Sequence, residues 1–320
     1  MSKAGVLHVT SGESVRIHET GLPGEVLYWL DVLHEGPVLP ALTLREQSRN
    51  RARFIAQAGW ASLEEAEAAL AHRDETIARF HQFEEVVLWF EHDLYDQLQL
   101  VQILDYLLAQ PRDGTRISLI CVGKFPGIGR FKGLGQLSPD QLSSLFEQRQ
   151  EITLADLKLA TEAWHAFCSP DPTDLEFVIQ AHSTGLPLLK GALARHLEQF
   201  PSVKSGLSRT ERQILEVTIQ GVQRFEDLFL AEQDKEERVF MGERVFWQYV
   251  ERMRSARVPL LEMRNESVRV TPAGHRILVG NADHIAANGI DRWLGGVHLC
   301  GGEAAWRWDE RARKLVRRAG

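Results

Sequence analysis

Residues 86–97 read VVLWFEHDLYDQ: a run of buried-type residues ends in Glu91, His92 and Asp93 and then continues at helical spacing. With extended geometry carried into that turn, Glu91 and Asp93 share one side of the chain. Two carboxylates on one side suit a hard divalent cation, magnesium or manganese, which takes oxygen ligands and lets a substrate phosphate complete its shell. Asp93 has a second role open to it, because Asp immediately before a helix starting at Leu94 is a good N-cap. Capping leaves Glu91 unexplained.

The same grammar occurs twice more: VLHVT leads into Ser11, Gly12, Glu13 and Ser14, and EVLYWLDVL leads into His34, Glu35 and Gly36. In open α/β sheets ligands bind at the carboxyl ends of the strands, so residues delivered there are site candidates. His34 and His92 suit proton transfer near neutrality. Gly36 and Pro37 make a sharp turn that fixes His34 and Glu35 at the sheet edge, where the alternative for His34 is a turn histidine bonded to backbone. Around Ser11, Gly12 and Ser14, hydroxyls and backbone N–H groups suit a phosphate at a helix N-terminus, or simply a strand-to-helix turn. Neither G-x-G-x-x-G nor G-x-x-x-x-G-K-[ST] is present, which disfavours standard NAD binding and P-loop chemistry.

The stretch GKFPGIGRFKGLG, residues 123–135, combines five glycines with Lys124, Arg130 and Lys132. Glycines allow close backbone approach and the cations suit an anion, so this is the best phosphate cradle in the chain. Arg45, Arg49 and Arg53 form a second cationic stripe at i, i+4, i+8, with Arg49 and Arg53 counted as substrate-binding candidates. Neighbouring glutamates can neutralise that stripe.

The elements that position these residues follow from periodicity. Apolar, β-branched runs predict strands at 6–9, 26–32, 86–90 and 117–122; His8 inside the first is a packing residue. Helical patterns fill 44–58 and 62–79, and Leu94, Leu98, Val101, Leu104 and Leu108 repeat at helical spacing. Alternation of this kind predicts a Rossmann-like, mostly parallel α/β sheet over residues 1–150. Ser138-Pro139 marks a further helix start and Thr153 an N-cap, and a helical connector over 151–205 is interrupted by SPDPTD. A capping pattern at Ser208 and Glu211 opens a winged-helix-like module over 206–280, with helices at 225–231 and 240–254 and two short strands around Asn265. A small β element over 281–320 completes the chain, with RWLGGVHL and AWRWDERARKLV each read as one strand.

With 320 residues, 44% apolar content and a formal charge of -7, the chain is a folded protein without global attraction to nucleic acid or an anionic membrane. Cys121, Cys168 and Cys300 are too far apart for a zinc spacing or a disulfide framework. No signal peptide or membrane-length apolar run is visible, so a cytoplasmic location is the expectation. Arg244, Arg252, Arg254 and Arg257, with Arg264 and Arg269 on the wing, offer a DNA-reading set. Glu236, Glu237 and Glu243 oppose it, and Phe240, Phe246, Trp247 and Tyr249 suit a core or a homo-oligomer interface equally well.

Taken together, LHVTSGES, DVLHEGP, WFEHDLYDQLQL, RFKGLGQLSPDQL and IDRWLGGVHL resemble the motifs of a bacterial family known only as a domain of unknown function, over nearly the whole chain. That resemblance implies an α/β N-terminal domain and a separate C-terminal module, and no activity. The segment GRFKGLGQLSPDQL is similar to the Tyr-Lys-Gly-Leu-Gly-Glu-Met segment in the metal-binding domain of type IIA topoisomerases. There a nearby D-x-D element binds magnesium, which implies metal ligation by Glu91 and Asp93; here the first acid is Glu and a third falls at Asp96.

The leading expectation is a divalent-metal-dependent phosphohydrolase or phosphodiesterase acting on a nucleotide or nucleic-acid phosphodiester. In it, Glu91 and Asp93 hold the metal, His34 or His92 handles a proton, and Lys124, Arg130 and Lys132 neutralise phosphate charge. Two alternatives stand beside it: a non-enzymatic, ligand-responsive DNA-binding regulator, and a protein-interaction module using the winged helix.

Overall fold

The computed structural model describes residues 3–111, 113–180, 185–222, 224–265 and 267–317. Two compact units emerge, the first running through Leu193 and taking back Gly295–Val297, the second comprising the remainder from Ala194. In chain order the first unit holds β1 (Ala4–Thr10), β2 (Glu25–Tyr28), β3 (Gly36–Pro37), α1 (Leu44–Gln57), α2 (Leu63–Ala78), β4 (Phe83–Glu91), α3 (Leu94–Leu108) and β5 (Arg116–Val122). It continues with α4 (Pro139–Phe146), β6 (Gln150–Glu151), α5 (Leu154–Cys168) and α6 (Thr173–Gln180), and the division falls within α7 (Leu189–Leu197). The connector expected over 151–205 is therefore divided, since α5 packs on α3 inside the first unit.

Among the described residues the main sheet has five strands in the order β2-β1-β4-β5-β6. The first four are parallel and β6 is antiparallel to β5, giving a mixed α/β architecture. Strand β1 sends the chain outward to β2 on one side, and β4 returns on its other side, so the strand order reverses between β1 and β4. Such a reversal opens a crevice at the carboxyl ends of the two strands.

Helix starts follow the capping signals. The side chains of Thr43, Ser62, Ser138 and Thr153 each accept from the backbone N–H of the third helical residue, and the backbone N–H of each donates in return to that residue's Glu, Gln or Asp side chain. The second strand is shorter than its apolar run suggests, ending at Tyr28 and not at residue 32. Leu30 adopts a left-handed φ of 51°, and Leu33 N–H bonds to Asp31 O, so WLDVL turns instead of extending.

Side chains alternate across β4: Val87 and Trp89 join a cluster with Val15, Ile17, Phe131, Leu134 and Leu142 on one face, while Val86, Leu88 and Phe90 are buried on the other. His8 is held in the first layer, its Nδ1 accepting from Trp89 Nε1 at 3.1 Å while Nε2 faces Pro23 O at 3.3 Å. Burial lowers its pKa below 6.5, so it packs as a neutral imidazole.

The second unit contains α8 (Arg209–Ile219), α9 (Phe225–Gln233), α10 (Glu243–Ser255), a hairpin of β7 (Leu261–Arg264) and β8 (Ser267–Val270), α11 (Pro272–Leu278) and α12 (His284–Asn288). The capping box of Ser208 and Glu211 is formed as its spacing predicts. Helix α10 starts later than residue 240, with Gly242 as N-cap, because Phe240 and Met241 are buried ahead of it. Each tail segment read as one strand is broken in two. RWLGGVHL turns at Gly295 (φ 61°) between β9 (Ile290–Gly295) and β10 (Val297–Gly301). AWRWDERARKLV folds into the antiparallel pair β11 (Trp306–Asp309) and β12 (Lys314–Arg317) through a left-handed Arg313. Among the described residues no helix is long and apolar enough to cross a membrane.

Candidate functional site

Strand β4 delivers Glu91 at its last position, and Asp93 begins α3 two residues later. Asp93 is an N-cap, accepting from Asp96 N–H at 3.1 Å, which places Asp96 in the first turn and turned back toward the strand end. Asp96 in turn accepts from Glu91 N–H at 2.7 Å. Asp93 caps the helix, and Glu91, Asp93 and Asp96 bring carboxylate oxygens within 4.8 Å of one another, a group that could hold a metal ion. All three residues are buried.

Three carboxyl groups so close resist joint ionisation. Burial, then the charge of Asp93, raises the Glu91 pKa to about 8, against the Leu134 N–H bond that lowers it. Burial and the charges of Asp93 and Glu91 likewise raise Asp96 well above the ordinary carboxyl range.

The strand-end loops converge on this cluster. From β1, the Ser11 side chain hydrogen bonds Asp96, and Ser11 O accepts from the Tyr95 hydroxyl at 3.2 Å. From the β2 side, the His34 ring lies edge-on to Tyr95 with centroids 6.1 Å apart. From β5, Leu134 N–H donates to Glu91 Oε1 at 2.5 Å, and the Phe131 ring lies 6.1 Å from that of His92. Apolar anchors hold this glycine-rich loop down, because Phe131, Leu134 and Leu137 are buried against the sheet. Each such side chain contributes roughly 1.5–3 kcal/mol.

Two glycines are required by close approach. A Cβ on Gly133 would lie 2.1 Å from Glu91 Oε2, and one on Gly135 would press on Ser14 Cβ at 3.2 Å. Gly133→Ala is expected to lift the loop, break the Leu134–Glu91 bond and cost about 1–3 kcal/mol, as overpacking does. Urea unfolding measures this; an unchanged midpoint would show that the backbone approach to Glu91 is unimportant.

Of the residues singled out by sequence, Glu91, His92, Asp93 and Ser11 lie in or against the cluster, and His34 is one ring contact away. Glu35 is buried beside His34, and its carbonyl is held by Arg51. Gly12 packs toward Leu30 and Ser14 meets Gly135, so this loop forms the wall of the site. Lys124, Arg130 and Lys132 are exposed on the loop whose backbone covers Glu91. Arg49 is not brought there: with Arg45 it lines a separate groove of about 430 Å³ that also holds Glu67, Asp74 and Glu75. Arg53 is exposed on the same helix.

Sequence reading passed over Asp96 as a ligand, Tyr95, the backbone of Leu134, and Arg51. The signal for Asp96 was present, since Asp93-x-x-Asp96 at a helix start sets both carboxyls on one turn. Arg51 carried none: it is fully buried, bonded to Asp31 Oδ1 at 2.9 Å, Glu35 O at 2.7 Å and Val32 O at 2.9 Å, and it pins the loop that carries His34.

In the second unit four of the six proposed DNA-reading arginines are engaged within the chain. Arg254 pairs with Glu251, Arg264 with Glu262, Arg257 bonds Ala287 O, and Arg252 lies over the Tyr249 ring. No model of a known protein family matches the sequence, and no curated protein matches it.

Proposed function

We propose that the first unit is a divalent-metal-dependent phosphohydrolase or phosphodiesterase built on a Rossmann-like sheet. The observation that carries this reading is the cluster of three buried carboxyls at the strand-order reversal, in which burial and mutual repulsion hold Glu91 and Asp96 toward their protonated forms. Like charges buried together are costly to ionise, so the cluster either keeps protons or takes a cation. Oxygen donors alone suit magnesium or manganese, held by Glu91 and Asp93 with Asp96 as a third ligand or as the group that orients Glu91. A metal bound there polarises a phosphoryl oxygen and lowers the pKa of water.

The protein's own groups have separable tasks. Thr10 ends β1 in register with Trp89, two residues before Glu91, and its buried Oγ1 has no hydrogen-bond partner among the described residues, leaving a donor beside the cluster. His34 or His92 moves a proton, both being buried against aromatic rings that exclude water. Lys124, Arg130 and Lys132 neutralise phosphate charge from the loop. The arginine pairings in the second unit give no support to a DNA-binding regulator.

A thermal-shift panel with magnesium, manganese, phosphate and mononucleotides tests the reading, run on the natural protein and on Glu91→Gln/Asp93→Asn. A ligand that binds only the folded state must raise its stability. Stabilisation by metal with nucleotide, lost in the double variant, is expected; no shift with any ligand removes the reading.

A further inference from the structure

A second cavity, of about 240 Å³, lies among α1, α3 and α5 and shares no residue with the acid cluster. Gln47 of α1 lines it at 2% exposure, and neither its amide nitrogen nor its oxygen has a hydrogen-bond partner among the described residues. An orphaned buried amide costs about 1–3 kcal/mol, and methionine would fill the same space without that cost. The amide is therefore matched to something the described residues do not supply.

The opposite wall defines the chemistry. Gln102 is fixed by accepting the Trp29 indole N–H at 2.8 Å, Asp105 adds a carboxyl, and Tyr106 and Trp164 supply aromatic surface. Among the described residues no arginine or lysine lines the cavity, which argues against a phosphate. A side-chain amide offers a donor and an acceptor side by side, the pattern that reads adenine through its amino group and ring nitrogen. The amide alone would also fit the N3–H and carbonyl edge of uracil; Asp105 only accepts hydrogen bonds, so it favours an exocyclic amino group and repels the carbonyl-rich edge of uracil. The volume falls below the roughly 300–1,000 Å³ of sites for drug-sized ligands and suits a single ring system.

We propose that this cavity binds an amino-bearing nucleobase, free or as a nucleoside, through the amide of Gln47. Isothermal titration of the full chain with adenine, adenosine, guanosine and cytidine, with uridine as control, tests it at ligand concentrations up to about 1 mM. Saturable binding of at least one amino-bearing ligand and none of uridine is expected. Gln47→Met is expected to weaken that binding at least tenfold while raising the unfolding midpoint, because the orphaned amide is gone. Should that variant not fold, Gln47→Glu, which loses the donor and keeps the shape, is read by binding alone, with the same tenfold weakening expected. Absence of binding by the natural protein, equal binding of uridine, or a Gln47 variant that binds like the natural protein overturns the proposal.

Discussion

Metal-free protein loses stability as the pH rises from 4.5 toward 8, and Glu91→Gln flattens that dependence. The sign follows from proton counting. The folded-state pKa of Glu91 lies above its unfolded value, so between the two the folded protein binds more protons than the unfolded chain. The contribution is complete below 4.5 and is lost as the pH climbs through about 8. Each tenfold difference in proton affinity between the states is worth about 1.4 kcal/mol, which makes this a large effect for one side chain. Glutamine keeps an oxygen for the Leu134 N–H and cannot ionise.

On the proposed function, divalent metal is expected to reverse the trend in the natural protein, since it would bind the ionised cluster and add about 2.7 kcal/mol at a hundredfold excess over Kd. Glu91→Gln is then expected to lose that gain together with turnover. Urea unfolding across this pH range, with magnesium or manganese and with chelator, measures both effects. A Glu91→Gln curve parallel to that of the natural protein would show that this carboxyl does not govern the dependence.

The second large effect is at Arg51. Its guanidinium has no exposed surface and satisfies the Asp31 carboxylate and the carbonyls of Val32 and Glu35. Arg51→Met leaves those acceptors buried, and breaking one partner of a buried ion pair costs about 3–5 kcal/mol. Arg73, 3.6 Å from the other Asp31 oxygen, relieves only part of this. Arg51→Lys is expected to fail as well, because an ammonium group cannot reproduce the planar fork that reaches three acceptors. Equilibrium unfolding reads the loss, and the loop bearing His34 is expected to become the first segment to exchange its amide hydrogens. A cost below about 1 kcal/mol, typical of an exposed pair, would show that the loop is held by other contacts.

Local chemistry in the sequence was enough to determine several helices and their starts. Thr153, Ser208 and the Ser138-Pro139 pair are formed as read, because a cap depends only on residues three or four positions away. The strand delivering Glu91 and the helix beginning at Leu94 were equally legible, since apolar alternation and helical spacing are local too. The strand after Tyr28 and the two tail segments misled for the converse reason. Apolar residues continue through the first two, and the third lacks Gly or Pro at its turn, which is set by a left-handed Arg313 as the others are by Leu30 and Gly295.

What only the tertiary structure decided is convergence. Strand order placed the ends of β1 and β4 side by side, the buried anchors Phe131 and Leu134 drew the glycine-rich loop over Glu91, and α1 carried Arg49 to a different groove from the acids. Sequence proposes carboxylates by type and spacing, but whether they share a dry pocket depends on burial by elements far along the chain. That burial also sets the raised pKa of Glu91, and with it the need for a proton or a cation.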